Sequence, residues 1–99
     1  MESCMSRLDQ ARAAINAIDA QMAKLFCQRM EAVKEIADYK QKQNLPVLDR
    51  TREKEVMKRN LSAYPDPDTE RFYDAFLQNL MELSRQYQQS LRDDHSDHQ

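Results

Sequence analysis

Apolar side chains recur along the first forty residues as Leu8, Ile15, Ile18, Met22, Leu25, Val33 and Ile36, at spacings built from steps of three and four. That pattern is one face of a long α-helix. Three cations stand in the same series. Arg12 lies between Leu8 and Ile15, Arg29 between Leu25 and Val33, and Lys40 four residues after Ile36. A charge on a buried face is costly unless it is paired. One such residue can snorkel to water; three in one stripe point to an anionic guest.

The length of the stripe constrains the fold further. Thirty-odd helical residues span roughly 55 Å, whereas a compact domain of this size has a radius of gyration of about 13 Å. Two shorter helices cannot cover so long a stripe. The remainder is expected to pair with a second copy, giving an intertwined two-fold homodimer with the long helices running together.

Composition closes off other classes. Among 99 residues there is no Gly, which excludes glycine-rich phosphate loops and the dinucleotide fingerprint. The chain is 32% charged and Met-rich, and it has no alternating run long enough for a strand, so the expected class is all-α. A net charge of −2 argues against a nucleic-acid or anionic-membrane surface. No apolar run approaches a membrane span, and the opening MESCMSRLDQ lacks the basic start and apolar stretch of a signal peptide. With only Cys4 and Cys27, no structural disulfide is expected, and the expected location is the cytoplasm.

Three helices are expected, one very long and two shorter. The first runs from about Ser6 to about Gln43 and stops before Pro46, because Leu45 precedes a proline. The second covers about Asp49 to Leu61, with Asp49 as its N-cap. Tyr64-Pro65-Asp66-Pro67 then breaks the chain, with Asp66 placed to cap a third helix and Pro67 in its first turn. That helix carries Phe72, Phe76, Leu80, Leu83, Tyr87 and Leu91 on an apolar side. Residues 6–91 form the domain. Residues 1–5 read as a flexible tail and 92–99 as a disordered polar one, in which His95 and His98 are solvated rather than metal ligands. Phe26 and the methionines read as core filler, and Cys27 as an interior or boundary residue.

Helix geometry apportions the cations. Arg29 and Lys40 share a face at a separation of roughly 16 Å, close enough to grip one small molecule between them. Arg12 lies roughly 25 Å from Arg29 along the helix, too far to meet that ligand from the same chain. In an antiparallel dimer it reaches the partner's site, so two equivalent sites per dimer are expected, each built from both chains. On the second helix Asp49, Arg52, Glu53 and Val56 share a face. Ser84 and Gln88, one turn apart, interrupt the third apolar face, and a polar group at a core position needs a partner. The set offers cations, carboxylates, a hydroxyl and an amide. It contains no metal-ligand cluster, activated cysteine or histidine. Such a pocket suits a small dianion carrying a hydroxyl, and supports electrostatic positioning rather than nucleophilic attack.

These residues resemble a known family. Leu8-Asp9-x-x-Arg12-x-x-Ile15-x-x-Ile18-Asp19, then Arg29-Met30-x-x-Val33-x-x-Ile36-x-x-Tyr39-Lys40, then Pro46-Val47-x-Asp49-x-x-Arg52-Glu53 and Glu82-x-Ser84-x-x-x-Gln88 are similar, in order and spacing, to the all-helical chorismate mutases of the bacterial AroQ type. The resemblance covers about Leu8 to Gln89. It implies the Claisen rearrangement of chorismate to prephenate in aromatic amino-acid biosynthesis, with no cofactor, metal or covalent intermediate. Arg29 and the partner chain's Arg12 would clamp the substrate carboxylates. Lys40 and Gln88 would donate to the ether oxygen and nearby carboxylate, and Glu53 would accept from the ring hydroxyl. Asp49, Arg52 and Ser84 would complete the pocket.

Two other readings are weighed against this one. A lyase of the same fold removes pyruvate from isochorismate, and such relatives do not keep the acidic residue after the second-helix arginine; here Glu53 follows Arg52. A non-catalytic dimeric helical module would need no cation on the stripe. The plainest account of the single residues makes Arg29 and Lys40 snorkelling side chains, Asp49 only a cap, and Arg52 and Glu53 partners in surface pairs.

Overall fold

The computed structural model describes residues 6–97 and contains, among them, three helices and no strand: α1 (Arg7–Lys42), α2 (Arg50–Ala63) and α3 (Glu70–Asp97). The all-α class follows. The chain divides into two units between Ala32 and Val33, a boundary that falls within α1. Cys4 and the rest of residues 1–5, together with His98 and Gln99, lie outside the described residues.

The first unit is helical over its described part from Arg7. Its apolar stripe is open to solvent: Leu8, Ile15, Ile18 and Leu25 are each more than half exposed, and Met22 and Phe26 nearly so. Cys27 is also exposed rather than interior, with its Sγ 4.0 Å from Glu31 Oε1. Phe26 and Met22 therefore do not fill a core within their own chain, because no apolar surface covers them there.

The second unit holds the buried core, made of Val33 and Ala37 from the last part of α1 and Leu77 and Met81 from α3. The end of α1 is set by Asn44, which takes the left-handed conformation at φ 56°. The Leu45 N–H donates to the Lys40 carbonyl at 2.7 Å and the Asn44 N–H to the Gln41 carbonyl at 3.2 Å. This pair of bonds is a Schellman motif. In a chain without Gly, Asn is the residue best suited to that conformation, because its side chain tolerates it locally. The helix therefore stops through this motif, and Pro46 follows two residues on.

Asp49 caps α2 as its local sequence implies. It sits in extended geometry and accepts the Arg52 N–H at 3.0 Å on its Oδ1. The packed side of α2 is Glu53, Val56, Met57, Asn60 and Leu61, all half-buried.

α3 begins later than the Asp66-Pro67 pair suggests. The Asp66 side chain accepts from the Asp68 N–H at 3.0 Å and from the Thr69 hydroxyl at 2.8 Å, and its carbonyl accepts the Thr69 N–H. Asp66 thus closes a turn of its own, a common use of Asp before Pro. The first helical carbonyl belongs to Thr69, which accepts from Tyr73. Because the Thr69 hydroxyl hydrogen goes to Asp66, the 2.6 Å contact with Tyr64 has the tyrosine donating. The Tyr64 and Tyr73 rings stack at 4.5 Å across the same corner.

The inward face of α3 also differs from the apolar series read in the sequence. The buried residues are Leu77, Met81, Ser84 and Gln88, whereas Phe72, Phe76 and Leu83 are exposed. At its far end α3 continues to Asp97, through six of the residues expected to form a disordered tail. No Gly or Pro interrupts them, extension of a formed helix adds one bond per residue fixed, and Gln89 donates to Asp93 one turn on at 2.9 Å. No helix among the described residues is long and apolar enough to cross a membrane.

The αL residue gives the fold a direct test. Asn44→Gly removes the Cβ from a left-handed position and is expected to stabilise the protein by about 0.5–1 kcal/mol, whereas Asn44→Val should destabilise it by about 1–2 kcal/mol. Urea unfolding followed by circular dichroism reads both; a glycine variant less stable than the parent would show that the Asn side chain itself holds the motif.

Candidate active site

Gln88 and Ser84 are the buried polar residues of the second unit, each 7% exposed, and they lie one turn apart among Leu77 and Met81. Burying an amide in such surroundings demands a partner. Gln88 finds one in Lys40, whose Nζ lies 3.2 Å from Gln88 Oε1. An ammonium only donates, so this contact fixes which way the amide points: Oε1 faces Lys40 and Nε2 is left as the outward donor. Lys40 Nζ also donates to the Val47 carbonyl at 2.7 Å. Two of the three ammonium donors are thus engaged by the protein, and the third is available to a ligand.

Ser84 returns its hydroxyl hydrogen to its own helix, donating to the Leu80 carbonyl at 2.9 Å. Glu53, in the first turn of α2, is half-buried and meets a residue that the sequence reading missed. Arg85 Nη1 lies 2.5 and 2.6 Å from the two Glu53 carboxylate oxygens. The only sequence hint was position, since Arg85 directly follows Ser84 and precedes Gln88 by three residues.

Asp49 and Arg52 are exposed and make local contacts. Asp49 spends one oxygen on the cap, and the Arg52 guanidinium lies 3.8 Å from Glu55 in an exposed pair of small worth. A cleft of about 390 Å³ lined by Lys40, Leu45, Pro46, Leu48, Asp49, Arg50 and Thr51 brings Asp49 to the same depression as Lys40. Within the second unit, therefore, Lys40 joins Gln88 directly and Asp49 through a shared cleft, while Glu53 joins Arg85.

Arg12 and Arg29 belong to the first unit. Arg12 is exposed. Arg29 is half-buried, and desolvation lowers its pKa from the ordinary value, although a guanidinium stays charged at neutral pH.

The second unit therefore presents two donors, Gln88 Nε2 and Lys40 Nζ, with the Ser84 hydroxyl one turn from Gln88. The charge-balanced Glu53 carboxylate lies in a separate depression lined by Gln78, Met81, Glu82 and Arg85. Nothing in this arrangement is a nucleophile with an adjacent base. Such donors are suited to positioning a polar ligand and stabilising charge on it.

The family described as chorismate mutase type II matches residues 11–89. This chain belongs to that family. The matched stretch takes in Arg12, Arg29, Lys40, Asp49, Arg52, Glu53, Ser84 and Gln88. No curated protein matches the chain.

Lys40 carries a structural load that can be measured apart from any reaction. Lys40→Met keeps the aliphatic stem but leaves the Val47 carbonyl and the Gln88 amide without their charged donor. It is expected to lower unfolding stability by about 1.5–3 kcal/mol. A chemical-denaturation midpoint unchanged from the parent would mean that water replaces the ammonium at no cost.

Proposed function

We propose that this protein is an isomerase that converts chorismate to prephenate by an intramolecular Claisen rearrangement, and that it does so as a homodimer. The observation that carries the reading is the Lys40–Gln88 pair. It aims one ammonium hydrogen and one amide hydrogen from a buried floor, which suits an ether oxygen that gains negative charge as its bond to the ring breaks. Donors fixed in advance stabilise charge that develops in the transition state without reorganising. Neither a covalent intermediate nor proton transfer is required, in keeping with the residues present.

The remaining roles follow the family pattern. Glu53 accepts from the ring hydroxyl, while Asp49, Arg52 and Ser84 complete the wall. Arg29 binds one substrate carboxylate, and Arg12 is supplied to the site by the second copy. Binding the two carboxylates also restricts the substrate to the compact conformer in which the reacting carbons approach, a contribution of positioning rather than of bond chemistry. The open apolar stripe of α1 and the exposed Phe72, Phe76 and Leu83 of α3 support a second copy as the partner, since apolar faces of this extent are normally covered.

The direct experiment incubates the purified protein with chorismate and, separately, isochorismate, without metal or cofactor, and identifies products by chromatography. Prephenate from chorismate is the expected result. Pyruvate from isochorismate as the dominant product would replace the mutase by a lyase, and consumption of neither would leave a binding module.

A second experiment tests the sharing of the site. Arg12→Ala and Arg29→Ala chains are each expected to be inactive as homodimers. A mixed dimer should regain one intact site, about half the parent activity per dimer by the two-fold symmetry of such an assembly. Verified heterodimers without activity would remove Arg12 from the partner's pocket.

A further inference from the structure

The Glu53 carboxylate poses an electrostatic problem for the proposed site. A pocket for a dianion gains from every cation and loses from every uncompensated carboxylate, because like charges a few Å apart repel by kilocalories when partly shielded from water. Glu53 is placed to accept a hydroxyl hydrogen, yet its charge opposes the ligand's own carboxylates. The structure contains a counter-charge for it. Arg85 Nη1 bridges both carboxylate oxygens at 2.5 and 2.6 Å, and both side chains are largely withdrawn from solvent, 32% exposed for Arg85 and 25% for Glu53.

Arg85 stands beside the polar part of the α3 stripe. On α3 it borders the buried stripe of Met81, Ser84 and Gln88, at steps of four, one and three from them. It joins α3 to the first turn of α2, a link of 32 residues in sequence. Exposed pairs elsewhere in the chain, Lys42 with Asp38 and Arg52 with Glu55, are local to one helix and more than half exposed on both sides. The Arg85–Glu53 pair, by contrast, holds two elements together while lying half-buried.

We propose that Arg85 is a positioning residue for substrate recognition: it neutralises Glu53 and holds its carboxylate so that the group accepts the substrate hydroxyl without repelling the substrate's carboxylates. A carboxylate has about four acceptor directions, so the bridge to Nη1 leaves capacity for a hydroxyl. The effect falls on binding, because the substrate's two carboxylates are charged both before and during the rearrangement. The proposal deepens the mutase reading and rests on it.

The test measures KM and kcat for chorismate in the parent, Arg85→Met, Arg85→Lys, Glu53→Gln and the Arg85→Met/Glu53→Gln double variant, each first shown to be folded by circular dichroism and thermal melting. Turnover by the parent is read first, and its absence overturns the mutase reading and this proposal with it. Given turnover, Arg85→Met keeps aliphatic volume but exposes the Glu53 charge, and should raise KM on the order of tenfold, with kcat changed about twofold or less. Arg85→Lys retains the charge and should hold KM near the parent value. In the Glu53→Gln background, where the opposing charge is already gone, adding Arg85→Met should change KM about twofold or less. A KM unchanged in Arg85→Met, with only the melting temperature lowered, would reduce the pair to a structural strut. An Arg85→Met substitution that raises KM as much in the Glu53→Gln background as in the parent would show that Arg85 acts independently of Glu53, and would equally overturn the proposal.

Discussion

Lys40 staples the segment after α1 from both ends. Its backbone carbonyl accepts the Leu45 N–H in the Schellman motif, and its ammonium takes the Val47 carbonyl and the Gln88 amide. A loop without glycine has few ways to turn, and here the turn is made by one left-handed Asn and then held by cations on its carbonyls. Arg92 does the same for the Leu45 carbonyl at 2.9 Å. The consequence reaches α3. Gln88 tolerates burial only because an ammonium meets its oxygen, and the ammonium is in place only because the loop presents Val47 to it. Helix end, loop and polar floor stand together.

That dependence explains why the inner stripe of α3 is not simply apolar. Leucines at positions 84 and 88 would pack the helices with less electrostatic cost, since replacing buried polar groups with well-packed apolar ones is often neutral or stabilising. Ser84 and Gln88 accept the cost, although each is as buried as Met81. The Lys40 contact gives Gln88 a structural use, and the proposed function gives it a second one. That second use is to present an amide hydrogen to the ligand.

What was legible in the sequence follows the range of the forces involved. The helices and the Asp49 cap rest on contacts within one turn, and their signals lie side by side in the chain. The stop of α1 was placed correctly to within a residue, but for the wrong cause: Pro46 is conspicuous, whereas Asn44 in a glycine-free chain gives no sign that it takes the left-handed role. Asp66 has the spelling of a helix cap, yet its carboxylate found nearer partners in Asp68 and Thr69. On α3 the polar Ser84 and Gln88 broke the inner apolar series, so the more regular Phe72, Phe76 and Leu83 drew the reading to the face that is exposed. Arg85 was invisible for a different reason. Its partner is 32 residues away, and no spacing rule on one helix reports a contact made by another.

The same reasoning bears on how the proposed dimer and the site depend on each other. The first unit exposes an apolar stripe along its helical length, and a helix in water gains most of its stability from packing such a face rather than from propensity. On the proposed assembly, the second copy supplies that packing and Arg12 together. Cations on the stripe weaken the packing where they stand, because each must be withdrawn from water as the chains join. Arg29, half-buried within its own chain, would be withdrawn further. An anion bound between the chains would offset that cost at the point where it arises. Ligand binding and association are then linked, each favouring the other by the same free energy. On the proposed assembly, the cations that weaken the apolar interface are the ones that would bind the ligand.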